Sequence, residues 1–234
     1  MDWWREAGVD LDFADEPGRW LAPAEGEAPI PAYMAPPAAE PPTVQTAIGG
    51  ESSGWPTDLA AFTAWWLTEP SLDGGAVRNR IPPRGPQGAD LMVIVPQPEA
   101  TDAGELLSGA EGRLLTAILA AMGIAPDQVY LASALPRHTP MADWAALHSQ
   151  GLGGVLLHHI QLIAPKQVIT FGSSVSSLLS NDPAQTAKVL QSVYHERGTI
   201  PLLGARDLGA MLGRPKWKAA FWQRWLDWTG TNTA

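Results

Sequence analysis

The chain contains no cysteine among its 234 residues. This absence excludes disulfide bridges, thiolate zinc sites, cysteine-ligated iron–sulfur clusters and cysteine nucleophiles. No run of about eighteen apolar residues is present, and the start, from Met1 to Glu6, lacks the basic and apolar regions of a secretory signal. We therefore expect a soluble, cytoplasmic protein that holds no metal and no cofactor and does not contact membranes.

Positive charge is also scarce, because 15 lysines and arginines stand against 24 aspartates and glutamates, giving a net charge of −9. Residues 1–55 contain ten acidic residues and only Arg5 and Arg19, so this segment carries −8 and the remainder −1. A nearly neutral body lacks the broad basic face that strong non-specific DNA binding requires, and any DNA contact is expected to be weak. The candidate phosphate contacts are Arg78, Arg80, Arg84, Arg214, Lys216 and Lys218, with scattered solvated charges as the alternative.

Proline is concentrated near the start of the chain. Residues 22–55 are rich in Pro, Ala and Glu, a composition that extends the backbone and predicts a disordered linker. Residues 1–21 precede it and contain aromatic side chains that we expect to be exposed, as in a short docking peptide. The predicted partner contacts in this segment are Trp3, Trp4, Val9 and Phe13. The alternative is that these side chains fold back onto the body as a loose cover.

Residues 56–230 have the pattern of one α/β domain. Apolar spacing predicts helices over 58–67, 111–122, 154–163, 175–179 and 217–228. Continuous apolar runs predict buried strands over 91–95, 128–132, 167–171 and 200–203. Strands separated by helical crossovers imply a three-layer fold, in which helices flank a mainly parallel central sheet.

The last predicted helix carries several aromatic side chains. Trp217, Phe221, Trp225 and Trp228 fall on one helical stripe, which is typical of core packing. Trp222 lies off this stripe, so we expect it to be exposed and to contribute to a partner surface.

Four stretches resemble the family 4 branch of the uracil-DNA glycosylase superfamily. They are Gly109 to Leu115, Ala121 to Tyr130, Pro165 to the small residues after Gly172, and Ile200 to Pro215. The resemblance covers roughly residues 58–228. It implies a uracil-DNA glycosylase-like fold for the body and a DNA glycosylase ancestry for its site.

The residues that would perform the chemistry of that family are replaced. Pro96 stands where the family has a polar acid, Leu107 where it has a stacking Phe, and Ser133 where an Asn reads uracil. Asp207-Leu208 replaces the family's His-Pro, and a carboxylate there would repel a developing uracil anion. The family's iron–sulfur cluster also lacks ligands. We expect no catalytic residues, with Glu99 and His138 as the fallback candidates if the site has been rebuilt.

A second resemblance is to the psi subunits of bacterial DNA polymerase III clamp-loader complexes, which are similar to a degenerate glycosylase fold behind a short Trp-containing leader. Asp2-Trp3 with Gly8-Val9 resembles that leader, and residues 207–215 followed by 219–223 resemble the terminal segment of psi. This resemblance implies a non-catalytic accessory protein of DNA replication or repair that binds clamp-loader subunits. The alternative is a divergent DNA glycosylase that excises uracil or another damaged base.

Overall fold

The computed structural model describes residues 47–179, 190–195 and 198–232. The helices in these ranges are α1 (Leu59–Thr68), α2 (Ala110–Met122), α3 (Trp144–Ser149), α4 (Leu152–Ile163), α5 (Ser173–Leu178), α6 (Leu208–Leu212) and α7 (Pro215–Asn232). Short 3-10 turns are formed by Ser52–Gly54, Pro70–Asp73 and Pro126–Gln128. The strands are β1 (Leu91–Val95), β2 (Val129–Ser133), β3 (Gln167–Phe171), β4 (Leu190–His195) and β5 (Gly198–Ala205). Residues 1–21 and most of the predicted linker lie outside the described residues.

The strands of the described chain form one sheet in the order β2-β1-β3-β5-β4. Within this order β2, β1, β3 and β5 are parallel to one another. β4 pairs with β5 in the antiparallel sense at one edge. The predicted α/β class with a mainly parallel sheet is therefore confirmed. β4, α3 and α6 are not predicted from the sequence.

β1 has apolar side chains at every position because both faces of this strand are covered. All five residues, Leu91–Val95, are buried, as expected for a central parallel strand. Met92 and Ile94 pack on one side of the sheet, and Leu91, Val93 and Val95 on the other. A one-residue shift in the pairing register of β1 would move each of its side chains to the opposite face of the sheet.

Two hydrophobic clusters sandwich the sheet. The first joins alternate strand residues to α1, α4 and α5, and includes Phe62, Trp66, Leu156, Ile160 and Val175. The second joins the other strand residues to α2, α6 and α7, and includes Leu115, Met211, Phe221 and Trp228. These clusters establish the predicted three-layer architecture.

The domain contacts begin before residue 56. Ile48 is 5% exposed and its N–H donates to Gln150 O at 2.9 Å. Trp55 Nε1 donates to Gly49 O at 2.7 Å, and the Trp55 ring lies 5.3 Å from that of His158. Residues 47–55, the described end of the predicted linker, therefore pack on α4. None of the helices in the described ranges has both the length and the apolar character needed to span a membrane.

Candidate functional site

The carboxyl ends of β1, β2, β3 and β5 lie along one edge of the sheet, because these four strands are parallel. The chain leaves β1 toward β2 and leaves β3 toward β5, so the topology switches direction between β1 and β3. Ligands of open α/β sheets bind beside such a switch point. Pro96 follows β1, Ser133 ends β2 and Asp207 follows β5. Three of the four positions predicted to be degenerate therefore lie along this edge.

Pro96 packs against Gly172 at the switch point. A Cβ added to Gly172 would lie 2.8 Å from Pro96 Cγ, and Gly172 has φ of +102°, a conformation that strains any L side chain. Pro96 O accepts a hydrogen bond from Leu135 N at 3.0 Å. Position 96 therefore serves packing and offers neither a carboxylate nor an N–H group to a ligand.

Ser133 and Leu107 are enclosed by the protein. Ser133 is 2% exposed, and its hydroxyl donates to Leu135 O at 2.7 Å. Leu107 is 5% exposed with φ of +59°. Its carbonyl group lies so close to Gly112 that a Cβ at position 112 would overlap it. Both side chains have structural roles, and neither presents a base-reading group.

Glu99, a fallback catalytic candidate, caps the start of α2. Its Oε1 accepts N–H groups from Gly109 and Gly112, each at 3.0 Å, and its Oε2 accepts Glu111 N at 3.1 Å. Such contacts satisfy helix N–H groups that have no partner within the helix. The Asp102 carboxylate likewise satisfies polar groups of the preceding loop, where it accepts four hydrogen bonds. The geometry of Glu99 accounts for its presence without catalysis.

Glu111 and Asp207 lie together where α2 meets α6. A Cβ added to Gly209 would lie 2.7 Å from Glu111 Oε1 and 3.1 Å from Asp207 Oδ1. Asp207 caps α6 by accepting Ala210 N at 3.2 Å. Burial, followed by the charges of Asp207, Glu99 and Asp102, raises the pKa of Glu111 to about 7. This edge therefore carries concentrated negative charge and one carboxyl group that holds a proton near neutral pH.

His138, the other fallback candidate, lines a separate cavity of about 420 Å³ between the loops after β1 and β2. Its Nδ1 lies 3.1 Å from Pro98 O. A carbonyl oxygen only accepts, so Nδ1 is the donor in this contact. Glu99 and Asp102 also line this cavity. The structure thus brings the two fallback candidates to one cavity, although the Glu99 oxygens already accept three N–H groups.

The first group of candidate phosphate contacts differs in exposure. Arg78 is exposed. Arg80 is 7% exposed, and its guanidinium group donates to Ala76 O and Trp66 O. Arg84 Nη1 lies 2.8 Å from Glu105 Oε1. Arg80 and Arg84 therefore already have partners within the protein.

The second group surrounds Trp217. The guanidinium carbon of Arg214 lies 4.2 Å from the Trp217 ring centroid, and that of Arg206 lies 4.7 Å from it. Lys216 is exposed and Lys218 half-buried in the first turn of α7. Arg206 was not among the predicted contacts, because it becomes a neighbour of Trp217 only after α6 turns the chain.

The expected exposure of Trp222 is wrong. Trp222 is half-buried, and it packs against the second cluster with its ring 5.6 Å from that of Phe221. Leu226, one turn later, is 61% exposed. The other predicted partner contacts, Trp3, Trp4, Val9 and Phe13, lie outside the described residues.

A family model described as the uracil DNA glycosylase superfamily matches residues 82–226, which is more than half of the chain. This chain belongs to the uracil DNA glycosylase superfamily. No curated protein matches it. The match runs from the approach to β1 into α7, so it contains the whole sheet edge described above. The iron–sulfur cluster implied by the family 4 resemblance does not fit this superfamily member, since the chain has no cysteine.

Sequence reasoning missed Glu111 as a site residue. Glu111 lies in the Gly109 to Leu115 stretch, which resembles a structural helix of the family. A helix was also predicted to begin at this residue. A glutamate in the first turn of a helix is ordinary. Its raised pKa depends on Asp207, Glu99 and Asp102, whose proximity follows from the tertiary fold.

Proposed function

We propose that this member of the uracil DNA glycosylase superfamily is a non-catalytic accessory protein of DNA replication or repair. In this proposal it is a psi-like adaptor, and residues 1–21 dock onto a replication protein, with clamp-loader subunits as the favoured partners. Trp3 and Trp4 supply the main contacts, because large aromatic side chains provide most of the binding energy in small interfaces. The superfamily fold of residues 82–226 supports the ancestry on which the proposal rests.

The observation that carries the proposal is the chemistry of the sheet edge. Pro96 fills the position of a catalytic acid with a packed ring, and the Ser133 hydroxyl is committed to Leu135 O. Asp207, which the resemblance aligns with the His of the family's His-Pro pair, lies close to Glu111 beside α6. Excision of uracil generates a negative charge on the departing base, which carboxylates would destabilise.

An excision assay tests the absence of catalysis. The full chain is incubated with an oligonucleotide that contains uracil, beside an active uracil-DNA glycosylase, and abasic sites are measured by alkaline cleavage. We expect no cleavage above the level without enzyme. Base release that disappears in Asp207→Asn would contradict the proposal, because contaminating enzyme would be insensitive to that change.

Affinity capture from a cell extract of the source organism tests the docking role. The full chain and a variant lacking residues 1–12 serve as baits, and retained proteins are identified by mass spectrometry. We expect clamp-loader or polymerase subunits with the full chain and their loss with the truncated one. Trp3→Ala/Trp4→Ala should reproduce the loss.

The matched control for this experiment is Glu25→Gln/Glu27→Gln. It alters the same acidic N-terminal region outside residues 1–12 and should retain the partners. If the control loses the partners as fully as Trp3→Ala/Trp4→Ala does, the contact is electrostatic and the aromatic docking model fails. Recovery of no replication protein with any bait would also overturn it.

One observation favours a second candidate function, a divergent DNA glycosylase. Glu111 has a pKa raised to about 7, first by burial and then by Asp207, Glu99 and Asp102. A carboxyl group that titrates near neutral pH is suited to general acid catalysis. This candidate predicts release of hypoxanthine or an alkylated base that is lost in Glu111→Gln. Absence of release from both substrates, beside active control enzymes, would eliminate it.

A further inference from the structure

A cluster of positive charge on the described surface surrounds Trp217. Arg206 follows β5, Arg214 precedes α7, and their guanidinium carbons lie 4.7 and 4.2 Å from the centroid of this one ring. Lys216 and Lys218 extend the patch along the first turns of α7. We call these four cations and Trp217 the Trp217 patch.

The Trp217 patch brings four positively charged side chains into one region of the described surface. Two guanidinium groups share one indole, and two lysines occupy the positive end of a helix dipole that has no acidic residue in its first turn. Within the described ranges, the ion pairs involve Arg84, Arg137 and Lys166 and none of the four patch cations. These four cations are therefore available to pair with an anionic partner.

The surroundings of the patch distinguish between anionic partners. Asp207 directly follows Arg206, so a carboxylate borders the patch on this side and the patch suits a short anionic segment better than the long run of phosphates of a nucleic acid. Trp217 is half-buried, and the two guanidinium groups lie over its ring, so it is a poor stacking platform for a base. Leu212 is 39% exposed two residues before Arg214 and offers an apolar contact.

We propose that the Trp217 patch binds a short acidic peptide segment of a partner protein, with Leu212 contacting an apolar side chain of that segment. Cation–π contacts hold the two guanidinium groups in place before binding, which lowers the entropy lost when carboxylates pair with them. The patch contains none of residues 1–21, and the proposal does not depend on their docking role.

Fluorescence anisotropy with the full chain tests this proposal. The probes are a labelled peptide of aspartates and glutamates with two internal leucines, and a labelled oligothymidylate of similar length. We expect the peptide to bind more tightly at low salt, and its Kd to rise with ionic strength because exposed charges are screened. Arg206→Ala/Arg214→Ala should weaken peptide binding about tenfold, as expected for two lost surface ion pairs.

Arg113→Ala/Lys166→Ala is the matched control, because it removes the same charge from exposed positions outside the patch. It should retain at least about half of the affinity if binding is local rather than due to net charge. Lys216→Ala/Lys218→Ala provides a second patch variant, and the melting temperature of each variant checks folding. Equal peptide binding by patch and control variants would overturn the proposal. Tighter binding of the oligonucleotide, or no peptide binding at low salt, would overturn it as well.

Discussion

At the scale of single residues, the carboxylates of the sheet edge divide into two kinds. Glu99, Asp102 and Asp207 each accept main-chain N–H groups. Among the described residues, no hydrogen bond reaches the Glu111 carboxyl group, which is packed beside these charges. An acid so placed favours its protonated form. Glu111 therefore makes this corner of the domain sensitive to pH.

The first prediction concerns Glu111→Gln. Burial and then the neighbouring carboxylates raise the folded-state pKa of Glu111 to about 7, above its ordinary value of 4.5. The folded state therefore binds this proton more tightly than the unfolded chain, so the contribution of Glu111 to stability is fully present below pH 4.5 and is lost as pH rises through about 7. Glu111→Gln should unfold at higher urea than wild type at pH 8 and at similar urea at pH 4.5.

Urea unfolding at the two pH values, with Glu51→Gln as an exposed control, measures this difference. An equal change at both pH values would show that Glu111 does not carry the proton.

The second prediction concerns the buried pair of Tyr130 and His159. The Tyr130 hydroxyl lies 3.0 Å from His159 Nε2, and His159 Nδ1 is buried without a partner among the described residues. Burial, and then the charge of His158, lowers the pKa of His159 to about 3, so the ring is neutral at physiological pH. Tyr130→Phe should cost about 2 kcal/mol, because it leaves a second ring nitrogen unsatisfied.

Tyr130→Phe/His159→Leu should recover most of that loss, because the double variant removes both polar partners. Chemical denaturation of the two single variants and the double variant measures the coupling. Strictly additive effects would contradict the idea that the two groups act as a pair.

At the scale of elements, an ion pair fastens the loop after β2 to the chain before β1. Arg137 Nε contacts Asp73 Oδ2, and Arg137 Nη2 lies 3.3 Å from Asp73 Oδ1. The hydrogen bond to Asp73 raises the pKa of the Arg137 guanidinium. Ile81 N donates to Pro136 O at 2.8 Å in the same region. These contacts hold two loops together beside the His138 cavity, in a chain that has no cysteine to cross-link them.

The third prediction tests whether the ion pair of Asp73 with Arg137 stabilises the domain. Asp73→Ala and Arg137→Ala should each lower the free energy of unfolding by about 1 kcal/mol, because a bidentate, charge-assisted pair stabilises more than an ordinary surface pair. The double variant should be little less stable than either single variant. Thermal unfolding of all four proteins at low and high salt provides the measurement. Single variants that lose nothing at low salt would show that the pair is not a structural tie.

The elements themselves were largely predictable from local patterns. β1 and β3 were predicted with their observed bounds, because continuous apolar runs end at Pro96 and Gly172. α2, α4, α5 and α7 begin one or two residues earlier than predicted, α1 begins one residue later, and α7 ends four residues later. β4 was missed because an edge strand that pairs on one side needs less apolar character than a central strand, and α6 because one capped turn leaves little periodicity.

At the scale of the whole molecule, charge and fold are divided along the chain. Residues 1–55 carry −8, whereas the family match begins at residue 82. The sequence predicts that the N-terminal aromatic residues bind a partner protein rather than pack into the core of the body. The body has its own cores on both faces of the sheet.

The fourth prediction follows from this division. Removing residues 1–12 should change the melting temperature of the body by less than about 2 °C, since one or two degrees corresponds to a few tenths of a kcal/mol in a domain of this size. Differential scanning calorimetry of the full and shortened chains measures it. A large decrease would show that Trp3 and Trp4 stabilise the body, and docking to a partner would then lose its basis.

The sequence by itself determined the α/β class and the parallel core strands, because hydrophobic period is a local property. From the resemblance it also predicts that the family's catalytic residue types are replaced. Only the tertiary structure decided what the replacements do. Pro96 meets Gly172, Glu111 meets Asp207, and Arg206 meets Trp217 across connections that the sequence leaves unspecified. A pKa, a shared ring or a buried hydrogen bond depends on distances of a few ångströms between such remote residues, and packing alone sets those distances.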